Sequence, residues 1–443
     1  MYSKEIQTLL NSKSVSQGDR IRVNGLEGYL LPSPDSASEE VLVVKLDNGY
    51  NIGVKPETLE KLSGRKEFGQ IPEAKIARHE GLADVSLIAT GGTIGTHLDY
   101  ASGGVFMCRT PEQVLAVAPE LEGVVNFKSL LSPFTVASED MNYSHWQKLA
   151  ELTAKELNSG AKGVILTHGT DCLGFTASAL SFMLPKLGKP VALVGAQRSP
   201  DRGSFDGAFN LVCAANYAKS DFGEVAIVMH ASSSDDFCHA LRGTKVRKMH
   251  TSRRDAFKAI NEKPLARVWP DGKIEKTNSE ALHRTEGKVK ADTSFEPKIA
   301  VLKAYPGSLP EIIDFLLEKK TRGIIIEGTA LGHVPTGESG TNVGKFDAKK
   351  SWIPFIKKAV DKGVFVGIAS QTIYGRTNPF VYRNLRLAGG AGAIFLEDML
   401  AETAYIKLGW VLGHTKKAYE AREMMLTNYC GEINYRIKHD EFV

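Results

Sequence analysis

Two stretches of this chain set hydroxyl groups among unusually permissive backbone. "SLIATGGTIGT", residues 86 to 96, begins as an apolar strand and breaks into glycines carrying Thr90 and Thr93, and "THGTD", Thr167 to Asp171, places Thr170 beside a carboxylate. A threonine hydroxyl is a weak nucleophile until a base or an amine takes its proton, and the oxyanion that forms on an attacked carbonyl needs N–H donors. Thr93, flanked by glycine, offers the hydroxyl and the donors; Thr170, Asp171 and Lys245 of "RGTK" offer a hydrogen-bonded relay. Each motif alone has a plainer reading: a glycine-rich turn is often only a turn, and Thr and Asp both cap helices. The first loop lacks the GxGxxG spacing and the GK[ST] ending, which disfavours nucleotide binding.

The elements that must carry these loops are buried strands alternating with helical segments. "GVILTHGT", "PVALVGA" and "EVAIVMH" are continuous apolar runs ending in Gly, Thr or His, with helix-like stretches such as "SHWQKLAELTAKEL" between them. That grammar predicts an α/β fold with a parallel sheet covered on both faces, whose ligands bind at the carboxyl ends of the strands. A charged, mixed segment, 246–297, interrupts the rhythm. A second, smaller α/β domain is expected from Lys298, with apolar strands in "KIAVLKAYPG", "RGIIIEGTALGHV", "GVFVGIASQT" and "AGAIFLED".

Upstream, residues 18 to 61 read as short strands joined by turns, with Asn48-Gly49 suited to a tight hairpin because both central residues of a type I′ turn need positive φ. The expected organisation is a small β-barrel at 1–65, a linker at 66–83, a catalytic α/β domain at 84–297 and a C-terminal α/β domain at 298–443.

Composition excludes several classes. The chain has 443 residues, 42% of them apolar, and a net charge of +4, too small a bias to argue for nucleic-acid binding by long-range electrostatics. Five scattered cysteines without CxxC spacing fit neither a zinc site nor a disulfide framework, so no metal is expected. Neither a signal peptide nor a run of roughly 18 apolar residues is visible, and the cytoplasm is the expected compartment.

Taken together and in order, "IATGGTIG", "SEDM" at Ser138 to Met141, "ILTHGTD", "VALVGAQRSPDRGSFDGAFNL" and "RGTK" resemble the bacterial-type L-asparaginase and glutaminase family, from about residue 84 onward. The resemblance implies amide hydrolysis with Thr93 as primary nucleophile and Thr170, Asp171 and Lys245 as its partners. It implies that Asp171 and the Ser138-Glu139 loop hold the substrate's α-amino and α-carboxylate groups. Glu139 stands where many members have glutamine, and the extra carboxylate would favour a cationic α-amino group. Tyr100 is the candidate for the tyrosine that the family carries in the loop after the nucleophile. Family sites form where two copies meet, which implies a homodimer and nominates Asn378 of "GRTNP" as the residue reaching across.

With its N-terminal β-domain, the whole layout resembles the D subunits of archaeal-type glutamyl-tRNA(Gln) amidotransferases. That implies a chain without a cofactor of its own that releases ammonia from glutamine or asparagine. A partner E subunit, using ATP and Mg, would capture the ammonia to amidate Glu-tRNA(Gln) and would make most of the tRNA contact. Two alternatives stay open: a free-standing L-asparaginase or glutaminase, and a non-catalytic binding protein on the same fold.

Overall fold

The computed structural model describes residues 2–33, 40–48, 50–64, 77–98, 105–107, 111–200, 203–337 and 350–438. The N-terminal module pairs five strands antiparallel, in the spatial order Asn51–Val54, Leu42–Leu46, Leu26–Leu30, Arg20–Val23, Leu59–Ser63. The expected hairpin forms, but with Lys45 opposite Asn51 and the Leu46 N–H donating to the Tyr50 carbonyl at 2.9 Å, three residues separate its strand ends where a type I′ turn has two. A helix that the sequence pattern did not announce, Lys4–Ser12, starts on the Ser3 hydroxyl, which accepts from the Ile6 N–H at 3.3 Å. Its Ile6 and Leu10 close the module's core against Ile21, Val23, Leu30 and Leu42. Most of the expected linker falls outside the described residues.

The catalytic body is an eight-stranded sheet in the order Ile274–Lys276, Ala266–Val268, Cys238–Arg242, Val225–His230, Val191–Val194, Gly163–Thr167, Asp84–Ala89, Asn126–Leu131. The last five of these run parallel, and three of them, Val225–His230, Val191–Val194 and Gly163–Thr167, are buried along their whole length. The first three add antiparallel to the edge, so the charged segment after residue 246 supplies the outer strands of the same sheet.

In the C-terminal domain, Ile299–Lys303, Gly323–Gly328, Phe365–Ser370 and Ile394–Phe395 form a four-stranded parallel sheet. Its strands divide their side chains by the two-residue period: Ile324 and Ile326 face a core with Trp352 and Ile356, while Ile325 joins the core of the catalytic body. The helix Ala401–His414 lies between the two, burying Ala404, Leu408 and Val411 in that same continuous core.

Candidate active site

Three loops at the carboxyl ends of adjacent parallel strands converge. The Thr90 N–H and hydroxyl both donate to the Thr167 carbonyl, at 3.1 and 2.8 Å, tying the first loop to the end of its neighbour strand. Thr90 is therefore buried and committed to structure, whereas Thr93 opens a short 3-10 turn, Thr93–Gly95, and is partly exposed. Gly92 holds φ at +93°, and a Cβ there would lie 2.5 Å from the Gly169 nitrogen. A Cβ on Gly169 would lie 2.9 Å from the Ser138 Cβ. The loops carrying Thr93, Thr170 and Ser138 thus meet at a spacing that only glycine permits.

Below the second loop, buried polar groups fix its geometry. The Trp146 indole N–H donates to the Thr176 hydroxyl at 3.1 Å, and that hydroxyl lies 2.8 Å from His168 Nε2. His168 Nδ1 lies 2.6 Å from the Gly169 carbonyl, which only accepts, so the proton sits on Nδ1 and Nε2 receives the threonine proton. Complete burial brings the His168 pKa down to about 4 and keeps the ring neutral. The imidazole is a fixed strut beneath Thr170, not a titrating base.

The lysine that meets Thr170 and Asp171 is Lys248. Its ammonium nitrogen lies 2.9 Å from Thr170 Oγ1 and 2.8 Å from Asp171 Oδ1, bridging hydroxyl and carboxylate. Lys245, the expected partner, is elsewhere: fully buried, it donates to Asp398 Oδ2 at 2.5 Å and to the Asp398 carbonyl at 3.2 Å. The "RGTK" lysine follows a turn that points its side chain into the junction with the C-terminal domain, whereas Lys248 closes the strand Val246–Lys248 at the mouth of the site. Both lysines meet the chemical requirement; only tertiary placement tells them apart. A cavity of about 380 Å³ opens beside the relay, with Asp171, Phe175, Lys248, His250, Glu402 and Thr403 among its lining residues.

Of the expected substrate-binding residues, Ser138 is buried against the second loop and its hydroxyl accepts from the Cys172 N–H at 3.3 Å. Glu139, next to it, is exposed. Cys172 itself offers no competing nucleophile, since burial followed by the Asp171 and Glu139 charges pushes its thiol pKa up. Asn378 lies on the C-terminal domain, where its Oδ1 accepts from the Phe380 N–H at 2.9 Å and its own N–H donates to the Leu331 carbonyl at 3.0 Å. Within one chain those bonds are local and do not bring Asn378 to Thr170. Tyr100 lies outside the described residues. Among the described residues no cluster of His, Cys, Asp and Glu could hold a metal ion, and no helix is long and apolar enough to cross a membrane.

A threonine hydroxyl bridged to a carboxylate by lysine, at the carboxyl end of a parallel sheet, is the site of an amidohydrolase of the asparaginase and glutaminase class. The families "Asparaginase, N-terminal" and "Glutaminase/Asparaginase C-terminal domain" match residues 84–281 and 298–425. The thermostable L-asparaginase of Thermococcus kodakarensis superposes with a TM-score of 0.69 at 25% identity, over 80% of this chain and 100% of that one. L-asparaginase I of Vibrio cholerae gives 0.66 at 26%, over 80% and 100%.

Neither of those matches spans the whole chain. The N-terminal module matches "GatD N-terminal domain" over residues 15–63, and the chain belongs to the family of glutamyl-tRNA(Gln) amidotransferase D subunits. The Pyrococcus furiosus member is 46% identical over 450 residues, covering 99% of each chain. That of Methanothermobacter thermautotrophicus is 41% identical over 444 residues, covering 98% of each.

Proposed function

We propose that this chain hydrolyses the side-chain amide of glutamine, or of asparagine, and supplies the ammonia to a partner that amidates Glu-tRNA(Gln) to Gln-tRNA(Gln). The observation that carries the reading is Lys248 bridging Thr170 Oγ1 and Asp171 Oδ1 at 2.9 and 2.8 Å. Thr93 Oγ attacks the amide carbon; its proton enters the relay and is returned to the amide nitrogen as the tetrahedral intermediate collapses, releasing ammonia and leaving an ester on Thr93. Water, giving up its proton in turn through the same relay of Thr170 and Lys248, then cleaves the ester to give the free acid and restore the Thr93 hydroxyl. Asp171, largely exposed, and Glu139 suit the substrate's α-ammonium, and Ser138 with the loop N–H groups suits its α-carboxylate.

In this reading the chain needs no cofactor, while ATP and Mg serve the partner E subunit. A second copy of the chain completes the site through Asn378, giving a heterotetramer with the partner, and the assembly works in the cytoplasm. The relatives and the N-terminal module favour this over a free-standing asparaginase. The test measures ammonia release from glutamine and asparagine by the chain alone, with the E subunit, and with E subunit and glutamyl-tRNA(Gln). The rate with glutamine should rise with each addition and fall by about 10²- to 10⁴-fold in Lys248→Met. Equal rates in all three mixtures would make the chain a free-standing amidohydrolase; no turnover in any would make it a binding protein.

A further inference from the structure

Lys248 stands on a poor foundation. Among the described residues its strand, Val246–Lys248, pairs with Phe257–Ala259 alone, three residues against three, and this ribbon belongs to neither large sheet. Val246 and Phe257 sink into the main core, but so short a ladder is a weak register device, and an amine held to hydrogen-bond distance of Thr170 needs a firmer root than the ladder alone supplies.

The root is the turn Gly243–Lys245, which enters the ribbon and is gripped by the elements around it. The Ser178 hydroxyl donates to the Gly243 carbonyl at 3.0 Å, and the Thr403 hydroxyl to the Thr244 carbonyl at 3.0 Å. The Thr244 hydroxyl donates to the Cys430 carbonyl at 3.2 Å. Lys245 reaches Asp398, whose other oxygen accepts from the Asn434 N–H at 2.9 Å. The Asn434 side chain in turn donates to the Asn261 carbonyl at 2.9 Å, next to the ribbon's second strand. The segment that brings Cys430 and Asn434 here is itself fastened by Lys407, which donates to the Met425 and Thr427 carbonyls at 2.9 and 2.5 Å and pairs with Glu432 at 2.6 Å.

We infer that Lys245, Asp398 and the strap Thr427–Asn434 are positioning residues for the relay, a clamp by which the C-terminal domain sets the place of Lys248. Asp398 fixes Lys245, and Lys245 fixes the start of the strand that ends, about 10 Å on, at the relay amine. A buried ion pair is weak evidence for added stability, because desolvation offsets its Coulomb energy; its use here is register. The "RGTK" motif is thereby assigned the anchoring of a catalytic lysine that it does not itself provide.

This inference rests on Lys248 being the relay lysine, and a double-mutant cycle keeps the two claims apart. Glutamine hydrolysis is measured in the assembled enzyme with its partner E subunit. Lys245→Met and Asp398→Asn should each lower kcat by about 10- to 100-fold with KM changed by less than about threefold, the scale of a misplaced catalytic group. Asn434→Ala, which leaves both buried charges paired, should cost about two- to fivefold and serves if the charge variants fail to fold. In a Lys248→Met background each of these losses should shrink to less than about twofold, since nothing is left to position. Losses that multiply in full in that background would overturn the clamp, as would unchanged kcat in all three folded variants. An active Lys248→Met would instead overturn the relay assignment.

Discussion

Lys245 and Lys248, three residues apart, each meet a carboxylate, and the two pairs could hardly differ more in setting. Lys245 and Asp398 are both 0% exposed, whereas Lys248 is 14% and Asp171 71% exposed. The same functional groups stand in opposite settings: deep in the junction they are sealed from water, and at the mouth they face solvent beside Thr170. Burial, not residue type, separates them.

The comparison breaks first on stability. Lys245→Met leaves Asp398 buried without its counter-charge and should cost about 3–5 kcal/mol in urea unfolding, with Lys245→Met/Asp398→Leu recovering most of it. Lys248→Met, for all its effect on rate, should stay within about 1 kcal/mol of wild type, because its partner faces solvent. Equal destabilisation by both single variants would erase the distinction.

A second measurement sharpens it with a buried group that is uncharged at neutral pH. His168 has a folded pKa lowered from 6.5 to about 4, so between those values the unfolded chain binds a proton that the folded chain refuses. The stability due to a neutral His168 is fully present above pH 6.5 and is lost as pH falls towards about 4, by about 3 kcal/mol in all. His168→Gln should remove one proton's worth of that slope from the pH dependence of unfolding, relative to wild type. The pairwise comparison isolates His168 from His239, which burial also brings down to about 4. An unchanged slope would mean that the strut titrates normally.

The smallest effect is that of salt. Raising ionic strength from about 0.05 to 0.5 M should weaken the Lys248–Asp171 contribution by less than about 0.5 kcal/mol and leave Lys245–Asp398 untouched. It is read as the salt dependence of unfolding in Asp171→Asn against wild type.

Much of this was legible from residues alone. Apolar runs ending in Gly, Thr or His marked the parallel strands, and ligand loops at their carboxyl ends marked Thr93, Thr170 and Asp171 as neighbours, while Ser138 came only from the family resemblance. The lysine was not legible. "RGTKVRK" presents two amines in seven residues, and the carboxylate that captures the first, Asp398, lies 153 residues away in sequence, beyond any local pattern. The helix Lys4–Ser12 escaped for a different reason: only two of its residues, Ile6 and Leu10, are buried, so its apolar signal is short.

That long separation has a bearing on synthesis. On the ribosome Thr93, Thr170 and Lys248 all emerge before Asp398, and the strap that grips their turn comes later still. The nascent N-terminal part of the chain therefore carries those three side chains before the partner of Lys245 has been made. In the clamp proposed above, a chain ended before Asp398 would keep those side chains and lack the carboxylate that anchors Lys245.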